Sequence, residues 1–150
     1  MTAPPADVLV VVPAKNEADT IAGVVTGLAA LGYPALVVDD GSTDATAMLA
    51  AGAGAIVVSM PFNLGVGGAM RAGFRYAVRE GYRAVVQVDA DGQHNPADVR
   101  TLLATLDESG ADIVIGARFA GDGTYEVRGP RRWAMRALSA TISRIARTRL

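Results

Sequence analysis

The sequence predicts an α/β fold in which helices cover both faces of a mostly parallel β-sheet. Short runs rich in β-branched residues alternate with longer stretches of helical periodicity, which is the pattern of a parallel sheet. The chain has 150 residues, 51% apolar and 19% charged, which is enough to build one packed core. Glycine is abundant, with 17 residues, and aromatic residues make up only 5%, so the composition favours close packing of helices on a sheet.

Five short apolar runs are predicted to be the strands. They are residues 7–12, 35–38, 55–59, 84–88 and 112–116. Pro13 is expected to stop the first strand, because proline has no backbone N–H for the sheet ladder. The second strand should end at the acid–glycine turn that begins with Asp39 and Asp40.

Helical patterns separate and follow these strands. They cover residues 17–31, 44–51, 65–79, 95–108 and 130–149. The first should bury Ile21, Val24, Val25 and Leu28 on one face. Asp44 is predicted to cap the second helix, Gly81 to end the third and Pro96 to lie in the first turn of the fourth.

Composition excludes several classes of protein. The chain has no cysteine, which rules out disulfides and cysteine-based zinc sites. The first 13 residues lack the basic start of a signal peptide, and no run of about eighteen apolar residues occurs, so no transmembrane helix is predicted. We expect a single cytoplasmic domain over residues 1–150.

Charge is divided unevenly along the chain. Residues 1–117 carry a net charge of −7, whereas residues 118–150 carry eight arginines and a net charge of +6. The helix predicted over 130–149 has an apolar face and an arginine-rich face. Two interpretations stay open: peripheral contact with an anionic membrane surface, or a helix that packs on the core and exposes its basic face.

Polar residues follow every predicted strand, and the strongest pattern is the DADGQ run of residues 89–93. In a parallel sheet such positions share one edge, where ligands bind. Asp89 and Asp91 would repel each other unless a cation lies between them, and their hard oxygens favour Mg²⁺ or Mn²⁺. Gln93 is a candidate third ligand, and His94 would favour Mn²⁺. The alternative is a turn whose acids cap a helix.

Three further strand ends carry weaker signals. Asp40 stands where a carboxylate can bind a ribose hydroxyl or a base edge. The glycine-rich residues 63–69 lack the lysine of a phosphate-binding loop, so we expect these glycines to allow close approach of the helix to the sheet and the substrate. Arg118, after the fifth predicted strand, is a candidate phosphate ligand.

Five segments in order resemble family 2 inverting glycosyltransferases, which have the GT-A fold. They are residues 13–17 (PAKNE), 38–42 (VDDGS), 63–67 (NLGVG), 89–93 (DADGQ) and 116–118 (GAR). The subgroup that they resemble most is the polyprenyl-phosphate (dolichol-phosphate) mannose or glucose synthases. The resemblance covers nearly the whole chain, and five ordered motifs are far more specific than any one of them.

The resemblance implies a role for each matched residue. The nucleotide pocket would be lined by Pro13, Lys15, Glu17, Asp40 and Asp89. The metal and the diphosphate would be held by Asp89, Asp91 and Gln93, and the acceptor phosphate by Arg118 and Arg131. Lys15 departs from the pattern, because many relatives carry an aromatic residue there.

The implied reaction is metal-dependent transfer of a mannose or glucose unit, with inversion, from a GDP- or UDP-linked sugar to a polyprenyl phosphate. Asp89, Asp91 and Arg118 would be its catalytic residues, acting at the inner face of the membrane, with no nucleic acid involved. Relatives continue into an Asp-x-x-x-Gly-(Phe/Tyr)-(Arg/Lys) acceptor segment, which this chain is expected to lack. A non-catalytic nucleotide-sugar-binding domain or partner subunit is therefore the main alternative, and a nucleotidyltransferase is a weaker one.

Overall fold

A four-stranded parallel sheet in the order β3-β2-β1-β4 organises the computed structural model, which describes residues 7–116. The strands are β1 (Val8–Ala14), β2 (Ala35–Asp39), β3 (Ile56–Ser59) and β4 (Ala84–Gln87). β1 is central and pairs in parallel with β2 and β4, while β3 pairs with the far side of β2. The predicted α/β class and the parallel sheet are confirmed.

Contacts divide the chain into two compact units, Met1–Ile113 and Val114–Leu150. The sheet and its helices belong to the first unit. Of the second unit the structure describes only residues 114–116. The single domain predicted over residues 1–150 therefore stays a prediction.

Four helices connect and follow the strands. They are α1 (Ile21–Ala30), α2 (Thr46–Gly52), α3 (Gly65–Glu80) and α4 (Asp98–Ser109). α1 begins four residues later than predicted, because Glu17 O accepts hydrogen bonds from the backbone N–H groups of Thr20 and Ile21 and closes a separate turn. α3 ends as predicted at Gly81, which has a left-handed φ of 79°. No helix in the part described has the length and hydropathy needed to cross a membrane.

β1 is buried on both faces, and its side chains pack alternately into two separate hydrophobic cores. Val8, Val10 and Val12 pack in the layer that holds the apolar faces of α1 and α4. Leu9 and Val11 point the other way, into the layer under α3. The four buried residues predicted on α1 lie in the first of these layers, as expected.

Pro13 lies inside β1 and does not end it, contrary to the prediction. Ala14 O accepts a hydrogen bond from Asp40 N (2.9 Å), so the even-numbered residues of β1 bond toward β2. Pro13 therefore faces the β4 side, where the register with β4 ends at Val11. Proline lacks a backbone N–H, but no hydrogen bond between β1 and β4 is made at this position, so the strand continues through Pro13.

The prediction of a fifth strand over residues 112–116 is wrong. These residues pair with no strand in the part of the chain that is described. The Ile113 side chain is 77% exposed. β-branched residues favour a strand mainly through packing against neighbours, and Ile113 has no such packing here.

A set of hydrogen bonds ties the loop after β1 to the loop after β2. Asn16 N donates to Ser42 Oγ (2.9 Å), and Asn16 Oδ1 accepts from Thr43 N (2.8 Å). Asn16 has a left-handed φ of 55°, a conformation that asparagine adopts more readily than most residues. The loop conformation at residues 15–17 is therefore set by the segment that follows β2.

Asp44 and Thr46 complete this connection. Thr46 Oγ1 accepts from Glu17 N (2.8 Å), and Asp44 Oδ2 accepts from Ala18 N (3.2 Å). The prediction that Asp44 is the N-cap of α2 is wrong, because the N-cap is Ala45. Asp44 lies one residue before the N-cap, and its carboxylate accepts a hydrogen bond from Thr46 N (3.0 Å). We call Asn16, Ser42, Thr43, Asp44 and Thr46 together the loop latch.

Among the glycines of α3, Gly73 is the one that lies against the sheet. A methyl group at Gly73 would lie 2.5 Å from Val11 Cγ1, inside the core. We expect Gly73→Ala to lower the free energy of unfolding by about 1–3 kcal/mol through overpacking, as measured by urea denaturation. Gly67→Ala is the matched control in the same helix, where a methyl group meets nothing within 4 Å. It should stabilise by about 0.5–1 kcal/mol, so equal losses in both variants would contradict the packing.

The pKa of Asp44 lies below its ordinary value, chiefly because the Thr46 hydroxyl donates to the carboxylate. The stability contributed by the hydrogen bonds that the Asp44 carboxylate accepts from Ala18 N, Thr46 N and the Thr46 hydroxyl is therefore present above the ordinary pKa of an aspartate, and it is lost as the pH falls through the lowered pKa of Asp44. Thr46→Val removes the hydroxyl and should move the pKa of Asp44 up toward its ordinary value in an NMR titration. Thr26→Val removes a hydroxyl that bonds within α1, to Ala22 O, and should leave that titration unchanged.

Candidate functional site

The carboxyl ends of the described strands lie at one edge of the sheet, and their loops contact one another there. The loop latch joins the ends of β1 and β2. Asp40, after β2, bonds to the segment after β3. After β4, a methyl group added at Gly92 would lie 4.0 Å from the Thr20 side chain. The convergence predicted from the sequence is confirmed for four strand ends.

Asp89 follows β4 and is oriented by two neighbours. Its Oδ1 accepts from Gln87 Nε2 (3.1 Å), and its Oδ2 lies 3.3 Å from His94 Nε2. The Asp89 side chain is 45% exposed and so remains open to a ligand. His94 thus contacts one of the two carboxylates, and its role as a metal ligand stays a prediction.

Asp91 lies two residues further along and is partly buried. Its Oδ1 accepts from the backbone N of Gln93 (2.9 Å), which closes a turn through Gly92 with its left-handed φ of 71°. The Gln93 side chain, predicted to bind metal, is exposed, and its role stays a prediction.

The donor set at this edge fits a hard divalent cation that is shared with a ligand. Within residues 7–116, no group of three or more His, Cys, Asp and Glu side chains is arranged to hold a metal ion by itself. Mg²⁺ is commonly bound by one or two carboxylates together with substrate phosphates. Asp89 and Asp91 can supply the protein's share of such a site, and a diphosphate would supply the rest.

Asp40 makes the most complete set of contacts at this edge. Its side chain is 4% exposed. Oδ1 accepts from Leu64 N and Oδ2 from Gly65 N, both at 2.7 Å. Its neighbour Asp39 is equally buried and accepts from Ser42 N (3.0 Å). Both Asp40 oxygens thus bond to the protein's own backbone, and the predicted contact of Asp40 with a nucleoside stays a prediction.

The other predicted nucleotide contacts lie at the end of β1. Pro13 is half-buried in the strand, and Lys15 is exposed in the loop after it. The Glu17 carboxylate accepts from Thr20 Oγ1 (3.2 Å) at the start of α1. The three residues thus lie at the end of β1 and in the loop that follows it, and their contact with a nucleotide stays a prediction.

The glycine-rich segment after β3 forms the first turns of α3. Gly65 needs its left-handed φ of 77°, and a methyl group at Gly68 would lie 2.4 Å from Leu64 Cβ. Of the glycines in this helix, Gly73 is the one that lies against the sheet, so the predicted close approach of the earlier glycines to the sheet is wrong, whereas their approach to the substrate stays a prediction. The predicted acceptor residues Arg118 and Arg131, and the predicted helix over 130–149, lie outside the described residues.

Sequence reasoning missed the residues that position this edge. The hydroxyls of the latch and the amide of Asn16 were not identified as partners of each other. The signal available was the density of hydroxyl and carboxylate side chains over residues 42–46, a composition that readily bonds to nearby backbone N–H groups.

Comparison with known proteins supports the resemblance seen in the motifs. The chain matches the model of glycosyl transferase family 2 over residues 9–149. It is 36% identical over 148 residues to the polyprenol monophosphomannose synthase of Mycolicibacterium smegmatis, covering 93% of this chain and 53% of that protein. It is 36% identical over 118 residues to the undecaprenyl-phosphate mannosyltransferase of Micrococcus luteus, covering 74% of this chain and 48% of that protein.

A solved structure shares the fold. The glucosyl-3-phosphoglycerate synthase of Mycobacterium tuberculosis, in complex with Mn²⁺, UDP-glucose and phosphoglyceric acid, superposes with a TM-score of 0.56 at 34% identity. The superposition covers 66% of this chain and 38% of that one. The chain spans about half the length of the curated relatives it matches. The family match, the sequence identity and the shared architecture show that this chain belongs to glycosyl transferase family 2 and has the GT-A fold.

Proposed function

We propose that this chain is the donor-binding part of a metal-dependent glycosyltransferase that moves a hexose, with inversion, from a nucleoside diphosphate sugar to a polyprenyl phosphate. The observation that carries the proposal is the pair Asp89 and Asp91, which follow β4 two residues apart and are partly exposed. A nucleoside diphosphate would complete a metal site at this pair with its phosphate oxygens.

The names of the relatives support the donor and the acceptor. Two of them are named for transfer of mannose to a polyprenyl or undecaprenyl phosphate. The solved relative holds Mn²⁺ and UDP-glucose together, which supports a divalent ion and a nucleoside diphosphate donor here. Phosphoglyceric acid, which is bound in the same complex, is the second candidate acceptor, although its 3-phosphate is kept in the glucosyl-3-phosphoglycerate for which that enzyme is named and so is not the attacking group.

The residues present suit this chemistry. Asp89 and Asp91 would hold the cation, with Asp89 oriented by Gln87 and His94. A bound cation would neutralise the charge that develops on the leaving diphosphate. A phosphate monoester has a second pKa of about 6 and is largely dianionic at neutral pH, so the acceptor needs little help from a general base. Peripheral contact with a membrane follows from a polyprenyl acceptor, which resides in the bilayer.

Asp91→Asn tests the role of the carboxylate pair. It removes one charge while keeping the acceptor for Gln93 N, and we expect metal-dependent transfer to fall by about 100-fold or more. The thermal unfolding midpoint in the absence of metal should change little. Asp98→Asn makes the same chemical change on the exposed start of α4 and should retain activity. Full turnover by Asp91→Asn would remove the basis of the proposal.

Separate measurements of binding and transfer distinguish an enzyme from a non-catalytic binder. Calorimetry with GDP and UDP should show one nucleotide bound tightly with Mg²⁺ or Mn²⁺ and far more weakly with EDTA. Transfer assays with polyprenyl phosphate and with 3-phosphoglycerate then identify the acceptor. Metal-dependent nucleotide binding without transfer to either acceptor would favour the binding domain or partner subunit.

A further inference from the structure

We propose that the outer side of α3 is a membrane-docking surface that rests on the headgroups of an anionic phospholipid bilayer. We call it the α3 face and define it by Arg71, Phe74, Arg75, Val78 and Arg79. The contact with the bilayer is independent of the proposed function. Its consequence, delivery of an acceptor held in the bilayer to the carboxyl edge of the sheet, rests on that function.

The first support is the arrangement of side chains in two rows along α3. Arg71, Arg75 and Arg79 are spaced four residues apart, so they form one row along the helix. Phe74 and Val78 have the same spacing and form a second row beside it. α3 packs on the sheet through its other side, which holds the buried residues Ala69, Met70, Gly73 and Ala77.

The second support is the exposure of the apolar row. Phe74 is 50% exposed and Val78 is 80% exposed, although both side chains are large and apolar. Together with the three arginines they line a shallow groove of about 360 Å³. Exposed apolar side chains bordered by polar ones are typical of interaction sites, because a partner that removes them from water gains the free energy of their burial.

The third support is the uneven distribution of charge. Residues 1–117 carry six Lys or Arg side chains and thirteen Asp or Glu side chains. Half of those six are the arginines of the α3 face, whereas α3 holds only one of the thirteen acids, Glu80. An otherwise acidic part of the chain therefore presents one basic helix, which attracts an anionic partner.

Arg71 and Arg75 are the arginines best placed to bind that partner. Arg79 Nε donates to Glu80 Oε1 (2.8 Å), and the Arg79 guanidinium lies 5.6 Å from the centre of the Tyr76 ring. Within residues 7–116, neither Arg71 nor Arg75 takes part in an ion pair. Their guanidinium groups can each bind the phosphate of a lipid headgroup through two parallel hydrogen bonds.

The pairing of a basic row with an apolar row favours a bilayer over other anionic partners. Helices at membrane surfaces use arginine for the headgroups and phenylalanine or aliphatic side chains for the boundary with the acyl chains. Nucleic acid would bind the arginines and stack on Phe74, but it offers no apolar surface to Val78. Residues 118–150 of this chain carry a net charge of +6, so the arginines of the α3 face would repel them.

Exposed apolar side chains continue from the α3 face to the rim of the candidate site. Phe62, Leu64 and Val66 are all exposed where α3 begins. The backbone there is fixed to the carboxyl edge of the sheet, because Leu64 N donates to Asp40 (2.7 Å). A docked α3 would therefore hold this edge beside the headgroups. An acceptor phosphate could then lie at the site while its polyprenyl chain stays in the bilayer.

Sedimentation of the full chain with vesicles tests the surface without donor or metal. We expect binding to vesicles of phosphatidylglycerol and phosphatidylcholine in equal parts, and little binding to phosphatidylcholine alone or in about 1 M salt. The double change Arg71→Gln and Arg75→Gln should weaken binding about 20-fold or more, because each arginine at an anionic surface contributes about fivefold.

Arg100→Gln is the matched control for loss of a charge. Arg100 is exposed on α4, which packs on the opposite face of the sheet, so this variant should bind vesicles like the unaltered chain. Unchanged binding by the Arg71 and Arg75 double variant would place the contact elsewhere, as on the basic residues 118–150, and would overturn the proposal. Binding to single-stranded nucleic acid but not to the vesicles would overturn it as well.

Fluorescence reports whether the apolar row enters the lipid. Val78→Trp together with Trp133→Phe leaves a single tryptophan on the α3 face, and brominated phosphatidylglycerol should quench its emission when vesicles are bound. Thr105→Trp in the same background places the tryptophan on the exposed side of α4 and should stay unquenched. Phe74→Ser should weaken vesicle binding about tenfold or more. Bound chain with no quenching at Val78→Trp would contradict the proposed orientation.

Two acceptors separate this inference from the proposed function. The Arg71 and Arg75 double variant should transfer sugar more slowly to a long polyprenyl phosphate held in vesicles, and at an unchanged rate to a water-soluble, short-chain polyprenyl phosphate. If the unaltered chain used neither acceptor, the proposed function would fail, while vesicle binding would still decide the role of the α3 face. If the double variant lost transfer to both acceptors equally, the proposed function would stand and delivery through the α3 face would fail.

Discussion

Parallel pairing of β1 with both β2 and β4 is the constraint on which the other features depend. Because β1 is buried on both faces and bonded along both edges, it fixes where α1 and α3 pack and where its neighbours end. Parallel strands place all their carboxyl ends together, so the polar residues that follow each strand must share one edge. The acids of that edge then need partners, which are backbone N–H groups at Asp40 and a predicted cation at Asp89 and Asp91.

The two pairs of acids, Asp39 with Asp40 and Asp89 with Asp91, both follow a strand but differ in burial and in hydrogen bonding. Asp39 and Asp40 are adjacent, so alternation sends them to opposite faces of the sheet, and each is buried against backbone donors. Asp89 and Asp91 are two apart, lie beyond the end of their strand and stay partly exposed. A buried carboxylate that accepts hydrogen bonds from the backbone, as at Asp39 and Asp40, is stabilised by the protein itself, whereas the partly exposed carboxylates of Asp89 and Asp91 are accessible to a ligand.

Much of the fold was predictable because its signals are local and periodic. The buried face of α1, the left-handed glycine after α3 and the first four strands all follow from patterns within a few residues. The effect of Pro13 was predicted wrongly because it depends on which neighbouring strand its backbone faces. Residues 112–116 were predicted wrongly because a strand forms only where another strand is available for pairing. The latch and the Asp40 bonds join residues more than twenty positions apart, a separation at which periodicity carries no information.

The bonds that hold the start of α3 use main-chain N–H groups, which every residue except proline possesses. The side chains of residues 61–67 are all exposed at the rim of the site, and that of Asn63 adds to the attachment by accepting from Gly65 N (2.8 Å). Apart from Gly65, whose left-handed φ restricts substitution, residues of this segment can therefore change without loss of the main-chain bonds to Asp40. This rim is thus a place where side chains can be engineered while the Asp40 bonds beneath them are kept.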